Sequence, residues 1–186
     1  MNFLAHLFLS FNDKEVMIGN FIADHVKGKQ ELVFPDNIRK GIRLHRGIDN
    51  YTDSHPVVEQ SKIRLRPGFR KYAPVVTDVF YDHFLATDWH EFSSEPLDRF
   101  IEEFYTSAFE RIDQLPEFTR KMLPVMRDQN WLGKYRTVEG LHSILTSMSR
   151  RTRFESGMEN AAAELELSVA GALQAAAINN PHSIVK

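Results

Sequence analysis

The 186 residues include no cysteine. That excludes disulfides, a thiolate nucleophile, an iron–sulfur cluster and any zinc site built on thiolates. No stretch approaches the roughly 18 uninterrupted apolar residues that a membrane-spanning helix needs. The opening Met1-Asn2-Phe3-Leu4-Ala5-His6-Leu7-Phe8-Leu9-Ser10 lacks the basic start of a secretory signal, and His6 and then Asn12-Asp13-Lys14-Glu15 interrupt it. A cytoplasmic protein with no membrane partner is the expectation. A large surplus of one charge is also missing. The formal charge of −2 speaks against a nucleic-acid partner, since dedicated binders are strongly basic. A Gly-rich phosphate loop, a Gly-x-Ser-x-Gly elbow and a His-Glu-x-x-His pair are all absent. So are internal repeats and, outside an alanine-rich tail, low-complexity segments.

What is present is ordinary globular composition, 42% hydrophobic, 26% charged and 11% aromatic. The length predicts one domain over residues 1–186. Charge is unevenly spread, with 12 basic against 8 acidic residues in positions 1–71 and 11 against 17 beyond. Apolar periodicity is helical nearly throughout. Ile18, Phe21, Ile22 and Val26 share one face, with Gly28 as the expected C-cap. Pro35-Asp36 opens a helix through Ile38, Gly41, Ile42, His45 and Ile48 that is expected to end before Asp53-Ser54-His55-Pro56. Lys62, Arg64, Arg66, Arg70 and Lys71 then crowd what reads as a short connection, broken at Pro67-Gly68. Further helices are expected from Val75 to about Asp88, from Leu97 through Phe100, Ile101, Phe104, Ala108 and Ile112, over Phe118–Met126, over Thr137–Met148, and over Glu159–Ala177. The expected fold is an all-α, single-domain bundle of six to eight helices.

Polar residues stand on faces that should point inward. His45 and Asp49 are i, i+4 neighbours beside Ile38 and Ile42. Asp78 and Asp82 repeat that spacing among Val75 and Val79, and His83 follows directly. Asn20 and Asp24 form a third such pair beside Phe21 and Ile22, and His6 interrupts an apolar segment. A buried carboxylate must be paired, protonated or metal-bound, because leaving it isolated costs several kcal/mol. Three outcomes follow: a divalent metal held by imidazole and carboxylate from facing helices, a buried ion-pair network, or a pocket for haem or another large cofactor. Any metal must be held by His and Asp. Such ligands suit Mn, Fe, Mg or a hydrolytic Zn.

These same segments carry a resemblance. Met1-Asn2-Phe3-Leu4-Ala5-His6-Leu7, then Gly19-Asn20-Phe21-Ile22-Ala23-Asp24 followed by Lys27-Gly28, resemble the bacterial acyl carrier protein phosphodiesterases. The stretch Gly41-Ile42-Arg43-Leu44-His45-Arg46-Gly47-Ile48-Asp49-Asn50-Tyr51-Thr52-Asp53-Ser54-His55-Pro56 and the block Asp78-Val79-Phe80-Tyr81-Asp82-His83-Phe84-Leu85 continue the match in order. Together they cover about residues 1–150. The resemblance implies an all-α enzyme related to HD-type phosphohydrolases, manganese-favouring with Mg2+ or Fe2+ as alternatives. Its implied reaction releases 4′-phosphopantetheine from the serine of holo-acyl carrier protein, a step of fatty acid metabolism. Carried over, Asp24, His45, Asp82 and His83 are implied as the metal shell, with Asp49, Asp53 and Asp78 as further candidates for ligand or base. Phe8 stands where family members often have a second histidine, so position 8 is not a ligand. The alanine-rich end past about Phe154 also departs from the family's aromatic-rich ending.

A mechanism follows from those parts. The metal would acidify a water and polarise a phosphoryl oxygen. Asp78 or Asp49 would orient the water or take its proton, with His6 holding a ligand carboxylate in place. Lys27, Arg43 or Arg46 would neutralise the diester. The basic first part would steer an acidic carrier protein. Two alternatives stand beside this: a metal phosphohydrolase acting on a nucleotide or other small phosphodiester, and a non-catalytic helical binding protein with a structural His/Asp core.

Overall fold

The computed structural model describes residues 3–165. Among the described residues there are ten α-helices, joined in part by 3-10 turns, and no strand. In chain order α1 spans Leu4–Phe8, α2 Lys14–Ile22, α3 Asp36–Ser54, α4 Pro56–Phe69 and α5 Ala73–Thr87. They are followed by α6 Trp89–Phe92, α7 Leu97–Phe109, α8 Glu117–Asp128, α9 Val138–Ser149 and α10 Ala161–Glu164. Seven of these have nine residues or more, so the all-α expectation holds among the described residues. None of the described helices is long and apolar enough to cross a membrane.

The chain divides into two compact units. The first comprises Phe3–Asn50 and Glu95–Leu132. Its core is Leu4, Leu7, Ile18, Phe21, Ile22, Ile38, Ile42, Phe100, Phe104, Leu123 and Met126, all buried. Asp13 caps α2 by accepting from the backbone N–H groups of Glu15 and Val16, which satisfies two of the donors a helix start leaves open. α2 packs on α1 and α7, with the Phe21 and Phe104 rings edge to face at 5.0 Å. α2 and α3 approach most closely at Gly19 and Gly41. A Cβ on Gly19 would meet the Ile38 carbonyl, and one on Gly41 would meet the Val16 carbonyl. Two missing methyl groups therefore set how near the residues flanking them come to each other. Those residues include Asn20 and His45.

The second unit comprises Tyr51–Ser94 and the described part of the stretch that begins at Gly133. α4 packs along α5, and α5 packs on α9 and on the 3-10 turn Gly133–Arg136. Val58, Leu65, Phe69, Val76, Val79, Phe80, Tyr135, Leu141 and Leu145 fill its core. Thr137 caps α9 by accepting from the Gly140 N–H at 3.0 Å.

Four sequence expectations need correction. The helix expected to run on to Gly28 ends at Ile22. The chain tightens into a 3-10 turn at Ala23–His25, then extends at Val26. Gly28 does take positive φ, +52°, but it opens a second 3-10 stretch, Gly28–Val33, instead of capping a helix. The expected connection around Lys62 is the helix α4. His55 accepts from the Val57 N–H and Pro56 occupies the first turn, while Val58, Ser61, Lys62, Leu65 and Phe69 form a buried face at helical spacing. Pro67 lies in its last turn at the cost of one backbone hydrogen bond, and Arg70 at φ 49° ends the helix after Phe69. The third helix runs to Ser54, past the expected stop, because His55-Pro56 and not Asp53 breaks it. Ile112 falls in a 3-10 turn, Ile112–Gln114, beyond the helix it was expected to extend. The last expected helix, Glu159–Ala177, is present at Ala161–Glu164 after a 3-10 turn at Met158–Asn160, and the remainder lies outside the described residues.

Candidate metal centre

The first unit gathers four of the residues singled out from the sequence. His45 and Asp49 project from the same face of α3, one turn apart. α1 supplies His6, and the 3-10 turn after α2 supplies Asp24. His45 Nε2 lies 3.3 Å from Asp24 Oδ1 and 3.2 Å from Asp49 Oδ2. His6 Nε2 lies 3.1 Å from the other Asp49 oxygen, Oδ1. The two imidazoles stack nearly parallel, with ring centroids 4.0 Å apart. Both are buried, whereas the Asp49 side chain is 50% exposed and that of Asp24 36%. The cluster therefore has a floor of buried imidazoles and a carboxylate rim open to solvent.

Asn20 orients it. Its amide nitrogen donates to the His6 carbonyl at 2.7 Å and to Ser10 Oγ at 3.1 Å, and the Ser10 hydroxyl in turn donates to the same carbonyl. The amide oxygen is left facing His45 Nδ1 at 3.0 Å. An amide oxygen only accepts, so Nδ1 carries the proton and Nε2 is the nitrogen turned toward the carboxylates. His45 thus has the support that a metal-ligating imidazole usually has, its far nitrogen donating to a fixed oxygen. In the sequence Asn20 stands out by its spacing from Asp24 and by its place in the Gly19–Asp24 block, without a role of its own. The signal available was a fully buried-type position filled by an amide next to a glycine at a helix crossing.

Electrostatics follow from these contacts. Burial disfavours a charged His45, but hydrogen bonds to Asp24 and Asp49 and their charges outweigh it and raise its pKa to about 9. Burial works against the charged form of Asp49 too, and the hydrogen bonds from His45 and His6 prevail, holding it well below the usual carboxylate range. The His45 hydrogen bond lowers Asp24 in the same way, against its burial. Without a metal, the cluster is an imidazolium clasped by two carboxylates.

The donor set also fits a divalent cation. One ligand atom from each of His6, His45 and Asp49 falls within 4.8 Å of the others. Donor pairs on a single ion are separated by roughly 3–4.4 Å, so small side-chain adjustments close the difference. His6 Nδ1 is buried and meets no hydrogen-bonding partner among the described residues. Protein atoms thus use only half of that ring's capacity. Two imidazoles and carboxylate oxygens are donors that Mn, Fe, Zn and Mg accept.

Of the basic candidates, Arg46 reaches Glu31 Oε2 at 2.7 Å and the Val26 carbonyl at 3.4 Å, and Arg43 reaches Glu31 Oε1 at 3.5 Å. Lys27 is exposed, its backbone N–H donating to Gln30 Oε1. Glu31, which the sequence reading passed over, is the acid that engages both arginines.

Asp53, Asp78, Asp82 and His83 belong to the second unit. There Lys62, buried, donates to Asp53 Oδ1 at 2.7 Å. Burial raises the Asp78 carboxyl, and the neighbouring Asp53 adds to it. Asp82 is fully buried. His83 Nδ1 lies 2.7 Å from the Tyr135 carbonyl, which fixes the proton on Nδ1, and burial lowers its pKa.

An all-α protein that sets two buried imidazoles behind a carboxylate rim offers donors of the kind helical metal sites use. Comparison with known proteins carries this further. The family described as acyl carrier protein phosphodiesterase matches residues 1–176, and the chain belongs to that family. A relative from Enterobacter sp. (strain 638), named acyl carrier protein phosphodiesterase, is 34% identical over 158 residues, 84% of this chain and 82% of its own length. One of the same name from Escherichia coli O6:H1 is 36% identical over 162 residues, with the same two coverages. Another, from Pectobacterium atrosepticum, is 34% identical over 152 residues, 81% of this chain and 79% of its own. No solved structure matches the chain.

Proposed function

We propose that this phosphodiesterase is metal-dependent and removes 4′-phosphopantetheine from holo-acyl carrier protein. It would act as one cytoplasmic catalytic domain, with manganese the preferred ion and kinship to HD-type phosphohydrolases. The observation that carries the reading is the His6–His45–Asp49 cluster with Asp24 at its rim, in a chain of this family. His45, Asp49, Asp24 and His6 would hold the cation. When bound, a divalent ion supplies Lewis acidity at a phosphoryl oxygen and lowers the pKa of a water. The residues of the chain do the rest. Asn20 keeps the His45 proton on Nδ1, so that Nε2 is the donor. Asp49, kept ionised by two imidazoles, is suited to holding and orienting and poorly suited to storing a proton. Lys27 and Arg43 offer exposed positive charge to the diester, while Arg46 is committed to Glu31. In the overall step a water oxygen bonds to phosphorus, the bond from phosphorus to the serine oxygen breaks, and that oxygen leaves with a proton. Asp78, Asp82 and His83 are the second unit's candidates, and alanine at each tests whether turnover depends on them.

The deciding experiment is intact-mass spectrometry of holo-acyl carrier protein incubated with the enzyme and manganese. Loss of the phosphopantetheine mass is expected, and chelation should stop it. No conversion, together with turnover of a nucleotide diester, would assign a small substrate instead. A protein that binds no divalent ion on addition would be no metalloenzyme.

A further inference from the structure

Between Asp24 and the start of α3, the chain shows two apolar side chains to water. Leu32 is 58% exposed and Val33 80%, side by side in the 3-10 stretch Gly28–Val33, which buries none of its residues. Ordinarily such a pair would be incidental. Here the segment is fastened. The Lys27 N–H donates to Gln30 Oε1 at 2.8 Å, and the Phe34 N–H to the Glu31 carbonyl at 3.2 Å. The Glu31 carboxylate takes Arg46 at 2.7 Å and Arg43 at 3.5 Å. Arg46 follows His45 directly, so the clamp that presents Leu32 and Val33 grows from the helix that carries the cluster. The surroundings are basic. Positions 27–46 hold six Lys and Arg residues against two carboxylates, and Glu31 and Asp36 are both engaged by arginine. Lys27, Lys29, Lys40 and Arg43 are exposed.

We propose that Leu32 and Val33 are the apolar anchor of a docking surface for the substrate carrier protein, an acidic protein surface presenting an apolar side chain of its own. This rests on the functional reading given above. The chemistry of that reaction places the surface. The scissile phosphate sits directly on a serine of the carrier, so the body of that protein, and not only its flexible arm, must come to rest beside the cluster. A patch tied through Glu31 to Arg46, the residue that follows His45 on α3, meets that requirement. Cations would steer the acidic partner, and the apolar pair would hold it once water is expelled.

The test uses the full-length enzyme, manganese and holo-acyl carrier protein as varied substrate. Leu32→Glu together with Val33→Glu should raise KM at least tenfold and leave kcat within about twofold. Both side chains are exposed, so neither change disturbs the core. Val33→Ile should keep the wild-type KM. Ile63→Glu, at a 51% exposed apolar position in the second unit, should keep it as well. An unchanged KM in the double glutamate variant, with wild-type enzyme active, overturns the docking surface and leaves the functional reading standing. An equal rise in Ile63→Glu overturns it too, as would a wild-type dimer that the double variant dissolves without a change in KM. Wild-type enzyme that leaves holo-acyl carrier protein intact overturns both.

Discussion

Both units bury histidine near carboxylate, yet the two histidines titrate in opposite directions. In the first unit His45 is flanked by Asp24 and Asp49, and their hydrogen bonds overcome burial to raise it to about 9. In the second unit His83 has a backbone carbonyl for its nearest partner, a dipole and not a charge, and burial wins. The carboxyls show the mirror image. Asp49 is lowered by two imidazoles, and Asp78 is raised by burial with Asp53 nearby. Burial alone does not decide the protonation of a polar core. The charge of the nearest partner does, and in the first unit it keeps Asp24 and Asp49 ionised, the sign of charge that collects a cation.

The strongest way to break this contrast is to remove the charge. Asp49→Ala should lower kcat on holo-acyl carrier protein by about 10³-fold, comparable to the loss of a principal electrostatic group at an active site. It should also abolish stoichiometric manganese, read by elemental analysis. Retained metal with retained turnover would take Asp49 out of the site. Next in size is Gly41→Ala, where the new methyl meets the Val16 carbonyl. A loss of about 3 kcal/mol in denaturant unfolding is expected, since backbone and not a flexible side chain must yield. Tolerance of alanine would mean that the helix crossing adjusts freely.

In the second unit the informative pair is Lys62 and Asp53, one buried and the other 72% exposed on its side chain. Asp53→Ala strips the ammonium of an acceptor and should cost about 1–2 kcal/mol, less than for a fully buried pair because water reaches Asp53. Lys62→Met should be close to neutral, since it removes the charge together with its need for a partner. If methionine proved as damaging as the aspartate deletion, Lys62 would have a role beyond packing.

The smallest expected effect is in pH dependence, followed by thermal melts with a chelator present. His45 is raised from 6.5 to about 9, so its contribution is complete below 6.5 and is lost as pH rises through about 9. Asp24 and Asp49 are lowered from 3.8, so theirs is present above that value and lost as pH falls below it. His83, lowered from 6.5, contributes above 6.5 and loses that contribution in acid. His45→Gln should therefore flatten the alkaline decline and also weaken the acid limb, because the imidazolium that lowers Asp24 and Asp49 is gone. An alkaline decline unchanged in that variant would place its origin elsewhere.

Much of the first unit was legible in the sequence because helical spacing is local information. His45 and Asp49 had to share a face, and so nearly did Asn20 and Asp24, although a 3-10 turn and not an α-helix carries Asp24. What spacing leaves open is which faces meet. His6, read as an outer support for a ligand carboxylate, stands among the three residues whose ligand atoms cluster. The missed helix α4 shows the opposite failure. Its start is capped by histidine, an uncommon cap, and Pro67-Gly68 near its end mimics a break, while its buried face includes a lysine and a serine that hide the apolar period. Glu31 was invisible for another reason. Its partners Arg43 and Arg46 lie 12 and 15 positions away, beyond any local pattern.

The amide of Asn20 has one more consequence. Its oxygen holds the Nδ1 proton of His45 in a buried hydrogen bond, on the side of the ring away from Asp24 and Asp49. A cation bound at Nε2 would leave that proton in place and change only its electronic surroundings. The ring therefore carries its own spectroscopic label: an imidazole N–H resonance that a diamagnetic ion such as Zn2+ or Mg2+ would displace and that manganese, with its unpaired electrons, would broaden away.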